Sequence, residues 1–108
     1  MIEMGDRVSV QFKNGRRLSV VLFSHWRGRH LLRSVENYSI LLNKSDVLLG
    51  TPLGRKEPNT VMVDFTRWIT TGMKVVDSDL YFGKDKNDGD NSDNGHWIFD
   101  LKEGKWVI

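Results

Sequence analysis

The chain contains no cysteine. Disulfides, thiolate nucleophiles and cysteine-based zinc or iron–sulfur sites are therefore excluded, and a cytoplasmic location is the expectation. No apolar stretch approaches the ~20 residues needed to span a bilayer, so no membrane association is expected. The opening Met1-Ile2-Glu3-Met4-Gly5-Asp6 has no basic region followed by an apolar run, so it does not read as a signal peptide. Walker and dinucleotide-type glycine loops are missing, which leaves phosphate cradling by that device unsupported. There is no zinc finger, GxxG clamp or paired-aromatic RNA-binding strand.

One further absence is local. From Lys84 to Gly95 the chain has no apolar residue, and order returns at His96-Trp97-Ile98-Phe99-Asp100-Leu101. Such a tract cannot bury itself, so a plain solvated hairpin loop is the favoured reading. A cation-binding loop is the alternative. Asp90, Ser92 and Asn94 stand at the first, third and fifth positions of an EF-hand-like pattern, with Gly95 at the sixth and Trp97 at the eighth. Leu101 occupies the twelfth position, where a bidentate glutamate belongs, and the flanks read as strands. Both features argue against a high-affinity site and leave weak calcium binding by Asp88, Asp90, Ser92 and Asn94 as the cation-binding alternative.

What is present suits one α+β domain over residues 1–108. Four Trp and five Phe supply bulky core material. The net charge of +2 hides an asymmetry: residues 1–56 hold ten Lys/Arg and four acids, whereas 57–108 hold six and ten. Pairing between the halves is the simplest consequence, and steering of an anionic partner is the other.

Val8, Val10 and Phe12 alternate with polar residues as in a half-buried strand. Asn14-Gly15 is a strong hairpin signal, and Leu18–Phe23 is the returning strand. Gly28 redirects the chain. Beyond Arg29, Leu31, Leu32, Val35, Tyr38, Ile40, Leu41 and Leu42 recur at helical spacing, and Asn43-Lys44-Ser45 ends that helix. Asp46–Leu53 is ambiguous, with Thr51-Pro52-Leu53-Gly54 a turn. A second helix begins at Pro58-Asn59-Thr60, capped by Asn59 or Thr60, buries Met62, Phe65 and Ile69, and closes at Thr70-Thr71-Gly72. Strands are expected at Leu80-Tyr81-Phe82, at His96–Leu101 and, after a turn at Lys102–Lys105, at Trp106-Val107-Ile108. The order is ββ-α-α-βββ: an antiparallel sheet, made of the N-terminal hairpin and a C-terminal meander, packed against two helices.

Few groups suggest chemistry. His25 and His30 are five apart and share no helical face, so they form no standard zinc pair. Ser24 and His25 are strand neighbours pointing to opposite faces, which excludes a catalytic dyad. Asp77-Ser78-Asp79 reads as a solvated turn. Arg16, Arg17, Arg27, Arg29 and Arg33 make the case for nucleic acid, with Arg16-Arg17 at a hairpin tip and Trp26 available for base stacking. The acidic loop argues against it.

Gly5-Asp6-Arg7-Val8, Phe12, Asn14-Gly15 and Leu22-Phe23-Ser24-His25-Trp26-Arg27-Gly28 resemble the opening of a group of small uncharacterised prokaryotic and phage-borne proteins. Pro58, Leu80-Tyr81-Phe82, and Asp93-Asn94-Gly95-His96 leading to Asp100 are similar to that group too. The group has no assigned activity, so the resemblance implies no catalytic role. It implies that Ser24-His25-Trp26 and Asp93-Asn94-Gly95-His96 act together, as a polar pocket of Ser24, His25, Trp26, Asp93 and His96. The expectation for function is an accessory protein that catalyses nothing and binds another protein by an edge strand or exposed aromatic surface. Homodimerisation is compatible with it. A nucleic-acid binder and a small metal-dependent enzyme around His25 and His96 are the alternatives.

Overall fold

The computed structural model describes residues 5–45, 47–48, 51–52, 55–71 and 79–107. The expectations for residues 1–4, Asp46, Leu53-Gly54, Gly72, Asp77-Ser78 and Ile108 lie outside them. The elements in chain order are β1 (Val8–Asn14), β2 (Arg17–Leu18), β3 (Val21–Ser24), α1 (Arg29–Ser45), β4 (Val47–Leu48), β5 (Thr51–Pro52), α2 (Pro58–Thr70), β6 (Leu80–Gly83), β7 (His96–Asp100) and β8 (Lys105–Trp106). The α+β class, the two helices and the order of the principal elements are those expected.

The main sheet runs β6-β3-β1-β7-β8, with β2 beside the far end of β1. Gly15, at φ +64, makes the β1–β2 turn. The returning strand is then interrupted: Ser19 turns its side chain inward, and its hydroxyl accepts the Phe12 N–H at 2.9 Å. Beyond that break β3 resumes pairing with β1, Val10 opposite Leu22. The last three strands separate. β6 extends the β3 edge, whereas β7 and β8 form a hairpin on the other side of β1. The 84–95 segment carries the chain across the sheet between them, so β7 enters parallel to β1 and the sheet is mixed.

Alternation sorts the sheet into two faces. Val8, Val10 and Phe12 share theirs with Leu22 and Phe99 and pack against both helices. α1 contributes Leu31, Val35, Tyr38 and Leu42 at helical spacing, and α2 contributes Val61, Met62 and Phe65. Each fully buried side chain of this size contributes about 1.5–3 kcal/mol. Ile40 and Leu41 fall off that stripe and are exposed. Phe12 sits at the centre, edge-on to Phe65 at 5.5 Å between ring centroids.

α2 starts differently from expectation. Glu57 is the N-cap, without a side-chain capping bond, and Pro58 occupies the first turn, where its missing N–H costs nothing. Asn59 is not the cap because its Oδ1 is engaged elsewhere, accepting the Val20 N–H at 2.8 Å.

Candidate functional site

The open face of the sheet, opposite the helices, carries Ser9, Gln11 and Lys13 from β1. Register places Phe23 and Val21 of β3, Tyr81 of β6, and His96, Ile98 and Asp100 of β7 beside them. The period-2 pattern alone would leave this face in water. Instead the apolar-free 84–95 segment folds back over part of it. Phe23 and Tyr81 stack at 5.0 Å with planes 7° apart. The Gly89 backbone lies so close that a Cβ there would stand 2.7 Å from carbons of both rings. The Asp90 N–H donates to the Tyr81 hydroxyl at 3.1 Å. A tract that cannot form its own core thus completes someone else's.

Turn chemistry holds the segment. Asp88 accepts the N–H groups of Lys84 and Asp85, and Asp90 accepts that of Ser92. Arg7 ties it to the sheet, with its Nε 2.8 Å from Asp93 Oδ2 and its Nη1 2.8 Å from Asp90 Oδ2. The hydrogen bond to Asp93 raises the Arg7 pKa. Asp93 is lowered, first by that bond, and Asp90 is lowered, first by the Ser92 hydroxyl. Asn94 donates to Asp6 Oδ1 at 2.6 Å and to the Arg7 carbonyl at 3.1 Å. The carboxylates considered as calcium ligands are thus turned toward the protein's own donors. Among the described residues no group of three or more His, Cys, Asp or Glu could hold a metal ion.

Under the segment lies a polar chain. Asn91 Nδ2 donates to Ser9 Oγ at 2.9 Å, Ser9 Oγ lies 2.7 Å from His96 Nδ1, and His96 Nε2 lies 3.1 Å from Gln11 Oε1. Gln11 Nε2 in turn donates to the Ser19 carbonyl at 2.7 Å. An amide oxygen only accepts, so assigning the proton to His96 Nε2 satisfies Gln11 and leaves Nδ1 to accept from Ser9. Burial, then the Lys86 charge, lowers the His96 pKa and favours this neutral form. A serine beside a histidine held by a third group has the connectivity of a nucleophile and its base. Ser9 is 0% exposed, however, so no substrate reaches its hydroxyl. The arrangement anchors the segment. A shallow depression of about 450 Å³ remains beside it, lined by Gln11, Leu18, Ser19, Lys84, Asp85, Lys86, His96 and Ile98.

Ser24, His25 and Trp26 form a separate corner. The Ser24 hydroxyl donates to Asp79 Oδ1 at 3.2 Å, the Trp26 N–H donates to the same oxygen at 3.3 Å, and Arg27 Nε lies 2.9 Å from Asp79 Oδ2. Asp79 is therefore a partly buried hub rather than part of a solvated turn, because two hydrogen-bond donors and the Arg27 guanidinium converge on its carboxylate. The Trp26 side chain stands outside this network, the residue 44% exposed and its ring edge-on to His25. Residues 5–7, just before β1, join this corner to the Asp93 turn. The Asp6 N–H donates to the His25 carbonyl, the Gly28 N–H to the Asp6 carbonyl, and the Asn94 N–H to the Arg7 carbonyl. His25 Nε2 and Arg7 Nε both lie beside Gly5, and Arg7 Nε is the group that pairs with Asp93. His96 belongs to the Ser9–Gln11 chain beneath the loop.

The basic residues also divide. Arg17 pairs with Glu57 at 2.7 Å and Arg27 with Asp79. Arg16 at the hairpin tip and Arg29 and Arg33 on α1 are exposed. Sequence reasoning missed Ser9, Gln11, Arg7 and Asn91. The signal for the first two was their alternation with Val8, Val10 and Phe12, and their burial depends on what lies over them.

Comparison with known proteins finds no matching family, no matching curated protein and no matching solved structure. Geometry alone bears on function. No helix among the described residues is long and apolar enough to cross a membrane.

Proposed function

We infer that the protein is a non-enzymatic binding module that takes up an extended segment of a partner protein along the β6 edge of its sheet. The observation that carries this is the character of β6. It is the outermost strand on its side of the described sheet, with Phe82 53% and Tyr81 38% exposed. The His25 N–H donates to the Asp79 carbonyl. Counting along the register, Tyr81 and Gly83 are the residues that bond to β3, so Leu80 and Phe82 direct their backbone N–H and C=O groups outward. An added strand gains affinity from such groups and specificity from pockets for alternate side chains. A depression of about 490 Å³ lined by Val20, Phe82, Gly83, Lys84 and Asp88 adjoins the edge and suits one such side chain. Arg27, one of the five arginines considered for nucleic acid, is held by Asp79 with its side chain 25% exposed, which favours a protein partner.

The test compares wild type with Phe82→Lys, a charge that blocks edge pairing without touching the core. Affinity capture identifies proteins retained by wild type and lost by the variant. Hydrogen exchange of the resulting complex is expected to slow at the Leu80 and Phe82 amides. Partners held equally by Phe82→Lys, or slowed exchange confined to another element, would refute the reading. A doubled mass in sedimentation equilibrium that Phe82→Lys abolishes would replace the partner with a second copy of the chain.

A further inference from the structure

On the far side of the molecule from the acidic loop's Arg7 anchor, three guanidinium groups meet. The β1–β2 hairpin tip supplies Arg16 and Arg17, and the residues before α2 supply Arg55. Together with Asn14, Glu57 and Pro58 they line a depression of about 320 Å³. A second depression, lined by Arg17, Leu18, Arg55, Glu57, Pro58, Asn59 and Thr60, shares four of these residues and continues past the start of α2.

The cluster is built. Asn14 Nδ2 donates to the Arg55 carbonyl at 3.4 Å and to the Lys56 carbonyl at 3.1 Å, so the hairpin holds the segment that bears Arg55. Lys56 accepts φ +48, in the left-handed region, and its Nζ is fastened to Asn43 Oδ1 at 2.9 Å. One carboxylate already sits between two of the guanidinium groups: Glu57 Oε2 lies 2.7 Å from Arg17 Nη1, and Glu57 Oε1 lies 3.4 Å from Arg55 Nη2. The arginine side chains are 73% and 86% exposed, so they are open to an incoming ligand.

We propose that Arg16, Arg17 and Arg55 form a binding site for a phosphate monoester dianion, with Glu57 as the internal oxyanion that marks its place. Three guanidinium charges stand against one carboxylate, a surplus of two. That surplus matches a monoester dianion better than the single charge of a diester linkage. Guanidinium forks pair with phosphate oxygens in the bidentate manner of a carboxylate. A dianion with more acceptor oxygens than Glu57 engages Arg16 as well, which Glu57 does not reach. This site stands apart from the β6 edge and does not depend on it.

The experiment is calorimetric titration of the full chain with phenyl phosphate and, separately, diphenyl phosphate. Phenyl phosphate is expected to bind, and to weaken about tenfold in Arg55→Gln and in Arg17→Gln, since each removes a charge-assisted hydrogen bond. Glu57→Gln is expected to tighten it, and Arg33→Gln on α1 to leave it unchanged. Affinity is expected to fall from pH 7.5 to pH 5, as the dianion takes up a proton at about pH 6 and becomes a monoanion. The two depressions are solvent-exposed, and circular dichroism is used to check that each variant folds. Equal weakening by Arg33→Gln and Arg55→Gln would reduce the effect to general charge and overturn the proposal. So would equal affinity for the diester, or no measurable heat with the monoester. Tighter binding of a single-stranded oligonucleotide, lost in the same variants, would assign the cluster to a nucleic-acid backbone and overturn the monoester.

Discussion

At the scale of single residues, two buried polar groups are informative. Tyr38 of α1 donates its hydroxyl to Asp64 Oδ2 of α2 at 3.0 Å, within the core. Burial, and then the Asp64 charge, raises the Tyr38 pKa, so the phenol stays protonated. The other carboxylate oxygen, Asp64 Oδ1, is buried without a partner. Tyr38→Phe removes the one side-chain hydrogen bond to that carboxylate among the described residues. It is expected to cost about 1–3 kcal/mol in urea denaturation, whereas Tyr38→Phe combined with Asp64→Leu costs less than the two changes summed. His96 gives the second prediction. Its folded pKa lies below the ordinary 6.5, so the unfolded chain binds the proton more readily. Stability is therefore expected to fall as pH drops below about 6.5 and to level off below the depressed folded value. Asp90, Asp93 and Asp100 are lowered from 3.8, so they stay ionised through that window. Thermal melts at pH 7.5 and 5.5 check it. His96→Gln is expected to remove most of the difference; an unchanged difference would locate the proton elsewhere.

At the scale of elements, the 84–95 segment is the unusual piece. It has no apolar side chain, yet it shields an aromatic pair, because its backbone rather than its side chains makes the contact. Glycine is required at position 89 for that approach. Gly89→Ala places a methyl group against Phe23 and Tyr81, and is expected to destabilise by about 1–3 kcal/mol through overpacking. The segment, not the core, is where the change acts. Hydrogen exchange should accelerate at Asp90 and Asn94 before it does in β1. Uniform acceleration would show that the segment opens only with the whole fold. Gly28 makes the same argument at the other end of the Asp6 staple, with φ +46 and the Asp6 carboxylate where its Cβ would be.

For the whole molecule, β1 is the axis. It pairs with β2, β3 and β7, and its partners come from both ends of the chain. Parallel pairing of Ser9 with His96 closes a loop over most of the sequence, and the entropy of that closure must be met before the contact stabilises anything. β7 also brings Phe99 into the core beside Phe12, at 6.5 Å between ring centroids. A chain ending at Gly95 would lose the parallel neighbour of its central strand and is expected not to fold. Circular dichroism and one-dimensional proton NMR decide this: retained, dispersed amide signals would mean that the remaining sheet is self-sufficient.

Local pattern carried much of this architecture. Alternation at Val8, Val10 and Phe12, the Asn14-Gly15 turn, the spacing of Leu31, Val35, Tyr38 and Leu42, and the Pro58 start were all legible, because each depends on contacts a few residues apart. The α+β class followed from them. Strand pairing was less so. An alternating strand has the same pattern whether its neighbour is parallel or antiparallel, and the separation of β6 from β7 depends on how the intervening segment crosses the sheet. The candidate site was the least visible. Ser9 and Gln11 look like solvent-facing residues until a distant polar segment covers them. Asp79 looks solvated until Ser24, Trp26 and Arg27 converge on it, and Arg55 shares a depression with Arg17 where Asn14 holds its backbone. Sequence by itself determined which elements form and which stripe of each is apolar. Tertiary structure alone decided which polar groups share a desolvated space, since that is a property of residues far apart in the chain.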